Sequence, residues 1–305
     1  MPPPPIQPLV VAAPKLRAQR PVPRGTAVKL APLAAGQESE VLAFLGVRPL
    51  HTVMLASFIR DNGLASSLNR GTFYCCRDTR TRLVGVALLG HTVLIEARTD
   101  AALAAFATEA RACPQTHLII GEEARVKRFW WHYADAGQEP HHTGRELLYE
   151  QHWPVGVWDE LPELRPAAPA DLEVVALAHA DLALRESGVN PFEIDPVGFR
   201  ARIARRIERG RVWVWVEAGR LIFKADVVSE TPDVFYLEGV HVNPAERGKG
   251  YGLRCLSQLT RALLQQTKSV CLLVNEQNVR AQDFYERAGF KLNSYYSTIY
   301  LRARH

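Results

Sequence analysis

The 305-residue chain is expected to be an α/β protein of two lobes, each a mixed sheet flanked by helices. Period-2 apolar runs alternate with 3.6-period segments along most of the chain. Their order is helices first, then a meander of antiparallel strands, then a strand–helix–strand crossover, and the chain runs through that order twice. An antiparallel meander followed by a crossover implies a mixed sheet rather than a doubly wound one. The third observation is the Pro-interrupted stretch 153–162, which separates the two passes. The passes share element order and not letters, so a tandem arrangement is inferred: one lobe at 26–152, a second at 163–305, and a Pro-rich tail at 1–25.

The opening MPPPPIQPLVVAAPKLRAQRPVPRG reads as a disordered, polyproline-prone tail. Prolines break its short apolar patch and no cationic stretch precedes it, unlike a signal peptide. Next come helices at 36–45 and 49–62, then strands at 71–77 and 82–89 joined by a turn at 78–81. A strand at 92–97 leads to an Ala-rich helix at 101–112. A strand at 117–120, a helix at 125–134 and a strand at 147–152 complete the pass. The rules are period 2 for strands, period 3.6 for helices, and Gly or Asp at the joins. The second pass opens with a short strand at 164–166. A helix at 170–185 is started by Pro169 and Asp171, and one at 197–207 is closed by Gly210. Strands 211–217 and 221–228 form a hairpin across Ala218-Gly219. A longer strand, 234–242, leads to a helix at 250–266, a strand at 269–275 and a helix at 279–288. One or two strands finish the lobe over 290–301.

Composition bounds the function. The chain is 47% hydrophobic and 23% charged, enough for sizeable cores. It has no run of about 18 apolar residues, so no membrane partner is expected. Cys75, Cys76, Cys113, Cys255 and Cys271 are an odd set with no CxxC or Cys/His spacing. They read as free thiols of a cytoplasmic protein, and no metal is expected. A net charge of +5 suits an anionic ligand. The basic residues are spread out, however, and the modest cluster at 200–206 lies on an expected helix, where a solvated charged face accounts for it. Without a zinc finger, an RNP-type aromatic strand or a base-reading helix, nucleic acid is not an expected partner.

The chemistry concentrates in VFYLEGVHVNPAERGKGYGLRCL, residues 234–256. A strand ends at Asn243-Pro244, the segment Arg247-Gly248-Lys249-Gly250-Tyr251-Gly252 follows, and a helix begins at once. Glycines permit backbone angles and approaches that a Cβ blocks. At a helix N-terminus they leave unpaired N–H groups exposed at the positive end of the dipole, a site for phosphate or pyrophosphate. Arg247 and Lys249 add charge, and Glu246 offsets part of it. No Ser or Thr follows the Lys, as a P-loop requires. A dinucleotide fingerprint fails too, because the last glycine is misplaced and the strand at 269–275 carries no acid.

The spacing Arg-x-x-Gly-x-Gly after Val-x-Val-Asn-Pro resembles the acyl-CoA loop of the GNAT-type N-acetyltransferase superfamily. A second signature lies downstream in LLVNEQNVRAQDFYERAGFKL, residues 272–292, with Asn275, Asn278, Ala281, Tyr285, Gly289 and Phe290 in order. The resemblance covers roughly residues 163–301. The two-lobed layout is similar to that of bacterial members such as mycothiol synthase and related proteins of unassigned substrate. Where the first lobe's corresponding strand meets its helix, the letters are Ile95-Glu-Ala-Arg-Thr-Asp100, with no glycine and with Asp100 as an expected N-cap. That lobe is expected to be a degenerate copy, kept for packing or for walling the substrate cleft.

The resemblance implies an acetyl-CoA-dependent transfer of acetyl to an amine, with acetyl-CoA as co-substrate and no metal. It implies that the strand before the loop splays from its neighbour and that the pantetheine arm pairs with the backbone of Val240, His241 and Val242. The Val242 N–H then stabilises the oxyanion, and residues 247–252 hold the pyrophosphate. Glu238 is the candidate base for the amine. By period 2 its side chain leaves the same face as that of Val242, while His241 points to the other. Tyr285 is the candidate acid for the departing thiolate. Asn278 caps its helix and contacts the cofactor, and Asn275 ends its strand near the pantetheine. The acceptor is a small-molecule or protein amine, and the protein is a monomer or homodimer. Glu186, Glu193 and Asp195 are either acceptor contacts or an ordinary acidic connection between helices. The alternative is a CoA-binding sensor or scaffold without turnover.

Overall fold

The structure, a computed structural model, describes residues 27–134, 137–156 and 160–302. The expected tail at 1–25 lies outside the described residues. The first pass gives β1 (Lys29–Pro32), α1 (Glu38–Leu45), α2 (Pro49–Asn62), β2 (Gly71–Arg77), β3 (Leu83–Gly90), β4 (Thr92–Ala97), α3 (Asp100–Arg111), β5 (Leu118–Glu122), α4 (Glu123–Tyr133) and β6 (His142–Gln151). The second gives β7 (Arg165–Pro166), α5 (Leu172–Ser187), the single turn α6 (Pro191–Ile194), α7 (Pro196–Glu208), β8 (Val212–Glu217), β9 (Arg220–Glu230), β10 (Val234–Val242), α8 (Tyr251–Leu263), β11 (Ser269–Asn275), α9 (Val279–Arg287) and β12 (Lys291–Tyr300).

All these strands form one sheet, in the order β1-β2-β3-β4-β5-β12-β6-β11-β10-β9-β8-β7. The order is a palindrome of the two passes, with β1 to β6 answering β7 to β12. Its centre holds a strand exchange. β6, from the first pass, pairs with β11 from Val270↔Gln151 to Asn275↔Glu146. β12, from the second, pairs with β5 from Tyr296↔Glu122 to Tyr300↔Leu118. Each half therefore lends its last strand to the other half's sheet. β4–β5 and β10–β11 are parallel, and the remaining pairs are antiparallel, so the sheet is mixed.

Two strands and one helical turn depart from expectation. β1 is four residues, KLAP, too short and too interrupted by proline to show a period. β6 begins at His142 rather than 147, because its polar start is held by β12, ending at Tyr300↔His142. The single turn α6 falls in the connection between the helices expected at 170–185 and 197–207. The stretch after Phe290, expected as one or two strands, is one, with an irregularity between Leu292 and Ser294.

The halves also meet through side chains. Val53 of α2 shares a buried cluster with Leu148, Tyr236, Cys271 and Tyr296. Arg211 makes a bidentate pair with Asp61 at 2.5 and 2.9 Å, and Arg205 donates to Asn62 at 2.9 Å. A first-half helix thus packs on the sheet beside the second half's central strands. The arginines at 200–206 are engaged: Arg200 with Glu173, Arg202 with Asp195, Arg205 with Asn62 and Arg206 toward Asp226. All five cysteines are free, and four of them are buried. Among the described residues no helix is long and apolar enough to cross a membrane.

Candidate active site

The parallel pairing of β10 with β11 runs from Val234↔Ser269 only to Leu237↔Leu272. Both strands continue, to Val242 and Asn275, and part over those residues. β10 stays attached to β9, with Glu238 opposite Asp226, His241 opposite Lys224 and Val242 opposite Phe223. Between Glu238 and His241 the register slips by a β-bulge centred on Gly239, at φ +59. A bulge bends its strand and increases local twist, which turns β10 away from β11 here. Asn243 N–H donates to Ile222 of β9 at 2.9 Å. Strand alternation therefore aims the Val242 N–H at the opposite edge, into the split.

The bulge changes which side chains share a face. Asp226 and Lys224, two apart on β9, point the same way, and so do their partners Glu238 and His241. The expectation that His241 turns away from Glu238 is therefore corrected: one extra residue in the bulge restores the phase. For the same reason Glu238 and Val242 leave opposite faces. Val242 lies toward α8, where a Cβ on Gly252 would come within 2.8 Å of its Cγ2. Glu238 lies toward α5 and α7.

Glu238 is reached by solvent, although enough protein surrounds it to desolvate its carboxyl. Its accessibility is what counts for meeting a substrate. Desolvation raises its pKa, opposed by Arg206 and a hydrogen bond with Tyr236. His241 is buried, and desolvation lowers its pKa, with Lys224 adding to the effect. Sequence reasoning missed the neighbours beneath: Lys224 and Asp226 are fully buried, and His179 of α5 places Nε2 2.5 Å from Asp226 Oδ2. Charged letters inside the apolar run of β9 were the available signal.

The glycine loop lies at the end of the split. Gly248 and Gly250 both have φ +81, and a Cβ on either would meet open space. Glycine is needed there for backbone conformation. Gly252 is needed instead for close packing against Val242 and Phe284. Gly250 is the left-handed N-cap of α8 and no side chain caps that end, so the first N–H groups remain available. Arg247 and Lys249 are exposed. Arg247 Nε donates to the Val242 carbonyl at 3.2 Å, which brings its guanidinium to the mouth of the split. Lys249 pairs with Glu246 at 2.7 Å, so part of the loop's positive charge is neutralised internally. The Tyr251 ring packs edge-on against Trp215 at 4.9 Å.

Across the split, Asn278 caps α9 by accepting from Ala281 N–H at 3.2 Å, as its position in the sequence suggested. Asn275 is exposed, and its side chain accepts from Gln277 N–H and donates to Glu146. Tyr285 is half-buried, with ring centroids 5.1 Å from Phe284 and 5.9 Å from Phe290. It packs on the same core as Val240 and Val242. Farther off, Asp195 caps α7 through Gly198 N–H and pairs with Arg202, as an ordinary helix connection would. Glu193 accepts from Asn190, and the Glu186 side chain lies outside what is described.

The first half has the corresponding split without the loop. β4 and β5 pair only at Thr92↔Leu118 and Val93↔Ile119. Beyond that point Arg125 and Arg48 bind Glu96, and Arg48 binds Glu122 at 2.7 Å. Asp100 is not the cap of the following helix. Thr99 caps it through Ala102 N–H, and Asp100 is held by Arg128 and His132. Thr99 accepts the orphan N–H more directly, leaving the carboxylate for the cations of α4.

Residues 180–290 match the family model described as the acetyltransferase (GNAT) family. A GNAT-family acetyltransferase from Colwellia psychrerythraea is similar in structure at 13% identity and TM-score 0.59, over 90% of this chain and 100% of that one. A Drosophila protein is similar at 15% identity and TM-score 0.64, over 90% and 99%. A tandem GNAT protein from the clavulanic acid biosynthesis pathway is similar at 14% identity and TM-score 0.56, over 92% and 99%. No curated protein matches the sequence. At such identities the likenesses to solved structures speak for the fold. The chain has the tandem GNAT fold, and within it residues 180–290 match the GNAT acetyltransferase family model.

Proposed function

We propose that the protein is an acetyl-CoA-dependent N-acetyltransferase, with its active site in the second half and an amine as acceptor. The observation that carries this reading is the split between β10 and β11 ending beside an uncapped helix N-terminus with two left-handed glycines. The split exposes strand edges that an extended amide-bearing arm can pair with, and the loop offers N–H groups to a pyrophosphate. In this reading Val240, His241 and Val242 present backbone groups, and the Val242 N–H meets charge developing on the thioester oxygen. Glu238 takes the amine's proton from the α5–α7 side. Tyr285 protonates the sulfur from the α8–α9 side, with Asn275 and Asn278 beside the donor. Base and acid on opposite faces of a split sheet suit a transfer that enters on one face and leaves on the other. The first half lacks the glycine loop and fills its split with Arg–Glu pairs, so it is read as a wall and not a second site.

The test is titration with acetyl-CoA by calorimetry, followed by a screen of amines, amino acids and aminosugars for CoA release. One acetyl-CoA per chain is expected; two would overturn the reading of the first half. CoA binding without release on any acceptor would favour a sensor. Gly250→Val forces a β-branched residue into φ +81 at a cost of about 1–2 kcal/mol, in an exposed loop where the fold tolerates it. It should weaken acetyl-CoA binding by about tenfold or more, and unchanged affinity would defeat the loop assignment. Arg247→Ala should weaken binding less, because an exposed cation is screened by salt.

A further inference from the structure

Lys224 and Asp226 are both fully buried on β9, among the buried apolar residues Phe223, Ala225 and Val227. Desolvating a pair of charges costs several kcal/mol per ion, and apolar side chains of similar size would fill the same space without it. Neither residue has a part in the transfer proposed above. Their surroundings supply one. Lys224 Nζ lies 3.1 Å from the Asp226 carboxylate and donates to the Gly239 carbonyl at 3.0 Å. A Cβ on Gly239 would stand 2.8 Å from that Nζ, 3.3 Å from Asp226 Oδ2 and 3.7 Å from His179 Cε1. The bulge and the charge cluster are thus fitted to one another. Burial alone would raise the Asp226 pKa, but Lys224 and His179 outweigh it and hold the carboxyl well below its usual range.

Gly239 is where the register slips, where β10 leaves β11, and where Glu238 and His241 come onto one face. Its carbonyl has no place in a regular ladder at that point, and a buried carbonyl without a partner is costly. We propose that Lys224 is a positioning residue: its ammonium, steadied by Asp226, holds the Gly239 carbonyl and thereby keeps the split between β10 and β11 open. This rests on the reading that the split receives the donor. The mechanical part, an open split maintained by Lys224, is testable without any donor.

The experiment compares wild type with three variants by backbone hydrogen exchange at residues 238–242 and 273–275 and by acetyl-CoA calorimetry. Lys224→Met/Asp226→Asn removes the donor and both buried charges together, and Arg206, which also faces Asp226, is 37% exposed and stays solvated. Lys224→Asp/Asp226→Lys keeps a buried ion pair but moves the ammonium off Gly239. Gly239→Ala leaves the pair intact and drives a Cβ against Nζ, and it carries the test if the charge variants do not fold. Each should slow exchange over 273–275 as the strands close. Acetyl-CoA affinity should fall by about tenfold or more, the worth of a hydrogen bond from a charged donor. A merely electrostatic role for the pair would be rescued by the swap. Folded variants with wild-type exchange and affinity overturn the proposal. If exchange slows while even the wild type binds no acetyl-CoA, the clamp stands and the proposed function fails.

Discussion

Tyr285→Phe is expected to lower turnover by about 10²–10⁴-fold, the range typical of a general acid, with acetyl-CoA affinity nearly unchanged. The substitution removes one hydroxyl and keeps the ring. Tyr285 packs edge-on against Phe284 and Phe290, contacts that phenylalanine reproduces. Packing and fold should therefore persist, and the melting temperature should move little. The loss should appear in kcat, since only the departing thiolate needs the proton. A wild-type kcat on a confirmed acceptor would return Tyr285 to the role of a core aromatic and leave the sulfur to be protonated by water.

Glu238→Gln should lower kcat/KM by a similar factor near neutral pH, and it should also change the shape of the pH profile. Desolvation raises the Glu238 carboxyl above its ordinary range, against the pull of Arg206 and Tyr236. A base works only above its pKa, so wild-type activity should fall as pH drops through that raised value. The acidic limb should therefore stand higher than an ordinary carboxylate would place it. In the glutamine variant that limb disappears. Residual activity should climb at high pH, where the amine is already neutral and no base is needed. A variant with the wild-type profile would remove Glu238 from the chemistry and leave catalysis to positioning. His241, now on the same face, would be the next group to test.

Local features of this protein were legible in its letters. The glycine loop, the Asn278 cap and most element boundaries depend on residues within a few positions of each other. Backbone conformation at Gly248 and Gly250, and an N–H reached by an asparagine three residues earlier, are settled over that distance. Even the parting of β10 and β11 was anticipated, though from resemblance and not from any property of the strand itself.

The exchange of β6 and β12 was not legible, because a strand's own alternation does not say whose edge it joins. The facing of Glu238 escaped for a related reason. A period-2 reading of the strand at 234–242 assumes unbroken register, and one bulge reverses every assignment beyond it. That bulge is held by Lys224, fifteen positions earlier on the neighbouring strand. The sequence by itself determined the two-pass element order and the glycine turn before α8, both products of short-range backbone preference. Tertiary structure alone decided which strands pair, which side chains share a face and which charges are buried. Those depend on contacts between residues far apart in the chain, whose energies no local pattern encodes.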